Sequence, residues 1–251
     1  MKKTPFAFLA HDGISAIDNM AWDTIRRLLP VGNFGIKINI DALVDPRGST
    51  WNTITRALEY NRPLFIDLKM WNGGRTILRT LKAYAEAGAE YVTVHALADD
   101  QLSETLDALN LMSSSHLKVL ATTILTHYTE EYCQEHFRRT RREAVRHFAE
   151  VAHRRGCHGI VLPGIYLDDV RDLQEKGLLL AVPGIRLTRG GESSHNGPKI
   201  NDPEVELLPE EAATKGADII VCGSPIVGKN VADPLVAMRE LLTRLGHTPT
   251  V

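Results

Sequence analysis

Phe65-Ile66-Asp67-Leu68-Lys69-Met70-Trp71-Asn72-Gly73-Gly74 is an apolar run that ends in an acid and a base two residues apart. Side chains two apart in a strand project from one face, so Asp67 and Lys69 are expected to converge on a point. Two glycines follow Asn72, and then Ile77, Leu78, Leu81 and Ala85 recur at helical spacing. A strand therefore stops there and a helix begins. Such junctions are where α/β proteins keep their chemistry. An ordinary salt bridge at a strand end would read the same way, and the rest of the chain has to separate the two.

Working outward, the same junction recurs. Apolar runs at Phe6–Ala10, Gly35–Ile38, Leu64–Asp67, Tyr91–His95, Lys118–Thr122, Gly159–Leu162, Leu179–Val182 and Ile219–Val221 are eight candidate strands. Amphipathic segments near Met20–Leu29, Trp51–Tyr60, Arg75–Ala87, Leu102–Leu111, Arg138–Arg155, Asp168–Lys176, Pro209–Lys215 and Pro234–Leu245 read as the helices between and after them. Gly88, Gly156, Gly177 and Gly216 fit helix stops in a left-handed conformation. Strand and helix in alternation imply a parallel sheet with crossover helices. The length of 251 residues suits one eight-stranded barrel. The expected fold is α/β, a single (β/α)8 TIM barrel over residues 1–251, with no repeat of fixed period and no low-complexity linker.

Lys plus Arg number 29 against 31 Asp plus Glu, so no whole-protein field argues for nucleic acid or an acidic membrane surface. The run Arg138-Arg139-Thr140-Arg141-Arg142 heads a helix whose apolar face continues at Val145, Phe148, Ala149 and Ala152, and reads as a solvated helix face. Cys133, Cys157 and Cys222 are odd in number and widely spaced. They read as reduced thiols in a cytoplasmic protein, without a zinc or redox pair. The apolar run near the start is interrupted too early for a signal peptide or membrane span and reads as a buried first strand. Arg186 to Leu207 has no strand or helix period, and a loop of that length is expected to be a lid or binding loop. Loops after the seventh and eighth strands of such barrels commonly hold a phosphate.

Parallel strands bring their C-terminal ends to one rim. That rim would carry Asp12, Lys37, Asp67, Lys69, His95, Thr126, Arg186, Gly223 and Ser224. Asp12 could equally cap a helix, and His95 could be a satisfied core histidine. Two lysines and an aspartate on neighbouring strands are harder to explain structurally, because buried charges are tolerated only when paired.

Ala10-His11-Asp12, Gly35-Ile36-Lys37, Asp67-Leu68-Lys69 with Thr76, Val92-Thr93-Val94-His95-Ala96, Ile124-Leu125-Thr126, Pro183-Gly184-Ile185-Arg186 and Gly223-Ser224-Pro225-Ile226 occur in this order. Together they resemble the orotidine 5'-monophosphate decarboxylase superfamily, and its bacterial decarboxylases in particular. The resemblance implies a homodimer with active sites at the interface, a small anionic pyrimidine nucleotide as substrate, and no metal or other cofactor. It assigns Lys37, Asp67 and Lys69 to the charged set around the reacting carbon, Asp12 and Thr76 to ribose hydroxyls, Thr126 to the pyrimidine, and Arg186 with Gly223 to the phosphate.

Two positions depart from the family pattern. Asn72 stands where the family has an aspartate contributed across the dimer, and Ser224 where it usually has a phosphate-gripping arginine. Ser194-His195 or His195-Asn196 replaces the family's Asp-Gln pair in the loop, making His195 a candidate binding residue. Arg189 or Lys199 would compensate if the loop swung either over the phosphate. Sister branches decarboxylate or condense sugar phosphates with magnesium held partly by a second-strand acid, a place Lys37 takes here. The alternatives are therefore a carboxy-lyase or aldolase for a small sugar phosphate, and a non-catalytic nucleotide-binding relative.

Overall fold

Eight parallel strands close on themselves in sequence order, β1 Phe6–Ala10, β2 Gly35–Asn39, β3 Leu64–Met70, β4 Tyr91–His95, β5 Lys118–Thr122, β6 Gly159–Val161, β7 Leu179–Val182 and β8 Ile219–Cys222, with β8 pairing back onto β1. All eight strands lie where the apolar runs place them. The computed structural model describes residues 4–12, 14, 17–40, 50–110, 116–189 and 206–250. His195, Lys199 and the rest of 190–205 lie outside the described residues.

Alternation along each strand sorts the core into two compartments. Ala7, Leu9, Ile36, Ile38, Leu64, Ile66, Val92 and Val94 pack outward against the helices. Phe8, Ala10, Phe65, Tyr91, Leu120, Ala181, Ile219 and Val221 fill the lumen. Phe8 meets Phe65 and Tyr91 edge-on at ring-centroid distances of 5.4 Å each, an arrangement aromatic quadrupoles favour. Gly35 makes room for this plug, since a Cβ there would lie 2.2 Å from Phe8 Cε1. Two residues further along each strand the same parity places Lys37 above Gly35, Asp67 above Phe65 and Thr93 above Tyr91. An apolar floor thus carries a polar layer at the C-terminal rim.

The helices are α1 Asn19–Leu28, α2 Thr50–Leu58, α3 Gly74–Glu86, α4 Asp100–Asn110, α5 Glu130–Phe137, α6 Arg141–Arg154, α7 Arg171–Glu175, α8 Pro209–Thr214, α9 Ser224–Val227 and α10 Pro234–Arg244. Gly88 closes α3 at φ +92° and Gly156 closes α6 at φ +82°, as a left-handed stop requires.

Three expectations need correction. The helix expected near Arg138–Arg155 is α6 and begins three residues later, because Arg138 turns left-handed at φ 56° after α5, and Thr140 then caps α6 in a reciprocal box with Glu143. The first three residues of the segment expected over Asp168–Lys176 belong to a 3-10 turn, Gly164–Val170, and only Arg171–Glu175 is α-helical. The arginine run is only partly a solvated face. Arg142 pairs with Asp169 at 2.7 Å, whereas Arg141 is 5% exposed.

Candidate active site

The polar layer at the rim is a chain of alternating charge. Lys37 Nζ lies 3.1 Å from Asp12 Oδ1 and 3.1 Å from Asp67 Oδ2, and Lys69 Nζ lies 2.7 Å from the same Asp67 oxygen. The Thr93 hydroxyl donates to Asp67 Oδ1 at 2.8 Å and accepts the backbone N–H of Lys69 at 2.8 Å. Asp12, Lys37, Asp67 and Lys69, from three neighbouring strand ends, are therefore brought together.

Convergence of Asp67 and Lys69 was expected from regular strand alternation, but the structure reaches it another way. Lys69 has φ 50°, and the β3–β4 register shifts between Ile66 and Met70. The strand is kinked at Lys69, and the kink lets its ammonium reach Asp67. A left-handed lysine is disfavoured by roughly 1 kcal/mol or more, and such strain collects at functional sites. A plain strand-end salt bridge needs none of it.

Burial is the largest influence on Asp67 and by itself would raise its pKa. Lys37, Lys69 and the hydrogen bonds from Lys69 and Thr93 together outweigh it and bring Asp67 down to about 2. Burial likewise works against the charge on Lys37, but Asp67 and Asp12 hold its pKa above the ordinary lysine value. The site is thus a buried carboxylate kept ionised by two cations. Lys37 is sealed at 6% exposure, while the Lys69 side chain is 34% exposed and can meet a ligand.

His95 reads as a cap. Its Nδ1 accepts the Leu97 N–H at 3.2 Å, and its ring lies edge-on to Phe148. Burial first and then Lys69 lower its pKa to about 4, so it is neutral near pH 7. The Thr122 hydroxyl, on the lumen side of β5, is buried and has no hydrogen-bond partner among the described residues.

The other expected positions are spread around the rim. Asn72 and Thr76 are exposed past the end of β3 and make no hydrogen bond to the charged set within the chain. Thr126 is half-buried after β5. Across the barrel, Arg186 Nη1 donates to Ser224 Oγ at 3.3 Å, and Arg186 Nε lies 2.9 Å from Glu206 Oε1. Gly223 has a packing reason to be glycine, since a Cβ there would come within 2.7 Å of the Ala10 carbonyl oxygen. Arg189 pairs with Glu211 of α8.

Sequence reasoning missed Thr93 and Glu206. Thr93 had a signal, a hydroxyl among valines with the parity of Tyr91 and His95. Glu206 had none, since it ends a stretch without period.

A closed parallel barrel with a charged cluster on its C-terminal rim has the architecture of an α/β-barrel enzyme, and comparison with known proteins gives its family. The sequence model described as "Orotidine 5'-phosphate decarboxylase / HUMPS family" matches residues 14–241. The orotidine 5'-phosphate decarboxylase of Rhodopseudomonas palustris is 31% identical over 194 residues, 76% of this chain and 77% of its own. That of Dictyoglomus thermophilum is 26% identical over 237 residues, 91% of each chain. The crystal structure of the Lactobacillus acidophilus orotidine 5'-phosphate decarboxylase superposes with a TM-score of 0.75 at 21% identity, covering 97% of this chain and all of the other. The chain belongs to the orotidine 5'-phosphate decarboxylase family, as its motifs implied, and is a decarboxylase of that family.

Proposed function

We propose that this chain removes the carboxylate of orotidine 5'-monophosphate, or of a close pyrimidine analogue, to give the uridine product without a metal. The observation that carries this reading is Asp67 held between two ammonium groups at 3.1 and 2.7 Å on a kinked strand end. The names of the relatives support the substrate.

In this reading the substrate carboxylate lies against Asp67, whose like charge destabilises it, with the Lys69 ammonium beside the ring carbon. The carbon–carbon bond breaks heterolytically and carbon dioxide leaves, with the electron pair staying on the ring carbon. Lys69 stabilises that carbanion and gives it a proton, then regains one from water. Lys37 keeps Asp67 ionised. The second Asp12 oxygen and Thr76 would take ribose hydroxyls, Thr126 the pyrimidine edge, and Arg186, Gly223 and Ser224 the far end of the substrate. Support for metal-free chemistry comes from the Lys37 ammonium, which stands between Asp12 and Asp67 where a metal cation would otherwise bridge them.

The reading includes a homodimer with Asn72 near the partner's site. Exposed Met20, Ile40, Trp51 and Trp71, on the rim beyond β1, β2 and β3, support an interface there. Asn72 accepts a hydrogen bond but carries no charge, so it leaves the Lys69 set one anion short of the family pattern. The reading also places the chain in the cytoplasm, supported by three buried, unpaired cysteines.

The test is loss of orotate absorbance on incubation with orotidine monophosphate in the presence of a chelator. The wild type bleaches the substrate and Lys69→Ala does not. No bleaching, with thermal stabilisation by uridine monophosphate, would point to a binding protein. Stabilisation only by a sugar phosphate with magnesium would point to the sister lyases.

A further inference from the structure

We propose that the Thr122 hydroxyl is a further substrate-binding group, which donates a hydrogen bond to the carboxylate that the reaction removes. The proposal rests on the pyrimidine reading above and adds to it a residue that recognises the substrate's carboxyl group.

Thr122 ends β5 with the lumen-facing parity of Leu120. In register it lies between His95 of β4 and Val161 of β6, two residues above the level where Thr93 pairs with Leu120. It is 1% exposed, and its hydroxyl has no hydrogen-bond partner among the described residues. The strand end does not forbid a partner. Thr123, on the other face of β5, donates its hydroxyl to the Val161 carbonyl at 2.9 Å. An enclosed, unpaired hydroxyl is unfavourable beside valine, which has the same shape and no polar atom. Packing therefore gives no reason for a hydroxyl at Thr122, whereas a partner brought by the substrate does.

The position selects that partner. Asp67, Thr93 and Thr122 stand on the lumen side of three successive strands, β3, β4 and β5. Thr93 is committed, to Asp67 Oδ1 at 2.8 Å and to the Lys69 N–H at 2.8 Å. Thr122 is the next polar side chain past it, with Leu120 below and Val161 beside it, both apolar. Lys69 acts on this strand pair, since burial first and then Lys69 lower the pKa of His95. A substrate carboxylate set against Asp67 and beside Lys69 thus has the Thr122 hydroxyl on its far side. A turn about χ1 re-aims that hydroxyl between staggered positions with the backbone fixed.

The donor is uncharged, so it holds the carboxylate without cancelling the Asp67 charge that destabilises it. As the carbon–carbon bond breaks, negative charge leaves the carboxylate for the ring carbon. The hydrogen bond from Thr122 is therefore strongest in the bound substrate, and it contributes to binding and not to rate.

The experiment is steady-state decarboxylation of orotidine 5'-monophosphate by the wild type, Thr122→Val and Thr122→Ser, with calorimetric titration of each by uridine 5'-monophosphate, which lacks the carboxylate. Thr122→Val is expected to raise KM about tenfold with kcat unchanged or higher. Its affinity for uridine 5'-monophosphate should move by less than about twofold. Thr122→Ser keeps the hydroxyl and should keep the wild-type KM. Without ligand, Thr122→Val should unfold in urea at or above the wild-type midpoint, because it loses only an unpaired group. A lower midpoint would mean that the hydroxyl has a partner within the chain, and overturns the proposal. An unchanged KM in Thr122→Val, or a uridine 5'-monophosphate affinity that weakens in step with KM, also overturns it while leaving the pyrimidine reading intact. Absence of turnover in the wild type overturns that reading, and the proposal with it.

Discussion

The Thr93 hydroxyl accepts the backbone N–H of Lys69 at 2.8 Å while donating to Asp67 Oδ1. One side chain thus holds both the kinked backbone and the carboxylate it serves. Thr93→Val keeps the shape but leaves a buried acceptor and a backbone donor unpaired, at a cost of about 2 kcal/mol in stability. Turnover should fall by about tenfold or more as Lys69 loses its position. Thr93→Ser restores the hydroxyl and should recover both. Equal activity in Val and Ser variants would remove Thr93 from the account.

Lys37 and Lys69 share Asp67 but should respond differently to removal. Lys37 is sealed in the lumen, and Lys37→Ala is expected to cost about 3 kcal/mol of stability in urea unfolding. Lys69 is more exposed, and Lys37 and Thr93 still hold Asp67 when it is gone. Lys69→Ala should therefore unfold close to wild type while kcat drops about a thousandfold or more. If Lys69→Ala lost stability but kept its rate, the pair would be a strand-end salt bridge.

His95 should contribute to acid sensitivity alongside His11, His127, His147 and His158, whose pKa values burial also lowers. The folded pKa of His95, about 4, lies below the ordinary 6.5. As pH falls below 6.5, the unfolded chain takes up a proton that the folded chain refuses, so stability is lost until pH nears 4. Asp67, at about 2, stays ionised throughout that interval and keeps its contribution until lower pH. Between pH 7 and pH 5, His95 should account for about 2 kcal/mol of lost stability. His95→Asn, which can still accept the Leu97 N–H, should lose less over the same interval. Identical pH slopes for the two proteins would contradict this assignment.

The floor beneath the site makes its own prediction. Gly35→Ala places a methyl 2.2 Å from Phe8 Cε1 and 2.8 Å from the Pro63 carbonyl oxygen. A loss of about 3 kcal/mol is expected from such overpacking. Phe8→Leu in the same chain should return part of it, as coupled neighbours do. Simple additivity of the two substitutions would show that the methyl finds room elsewhere.

These elements also show what the sequence could and could not reveal. The strands were legible because a strand buried on both faces must be apolar along its length, and Tyr91–His95 and Lys118–Thr122 have observed bounds identical to those expected. Asp67 and Lys69 were legible as a pair, but the left-handed turn at Lys69 was not, since only contact with β4 requires it. The break before α6 was written in Thr140-x-x-Glu143, a capping pattern overshadowed by the apolar face that continues beyond it. Glu206 was invisible because its partner lies 20 residues back, across a loop with no period to carry register.

Asn72 is one of the two positions, with Ser224, where the resemblance implies a change of charge from the family pattern. Asn72→Asp would return an anion to the set around Lys69, and decarboxylation should rise by about tenfold if that missing charge limits the rate. An equal or lower rate would mean that the neutral residue suits the substrate of this chain.

The most direct measurement is release of labelled carbon dioxide from carboxyl-labelled orotidine and orotidine 5'-monophosphate, presented side by side to the wild type in the presence of a chelator. Release from orotidine 5'-monophosphate, and its loss in Lys69→Ala, is the expected result. Retention of the label in both compounds would contradict it.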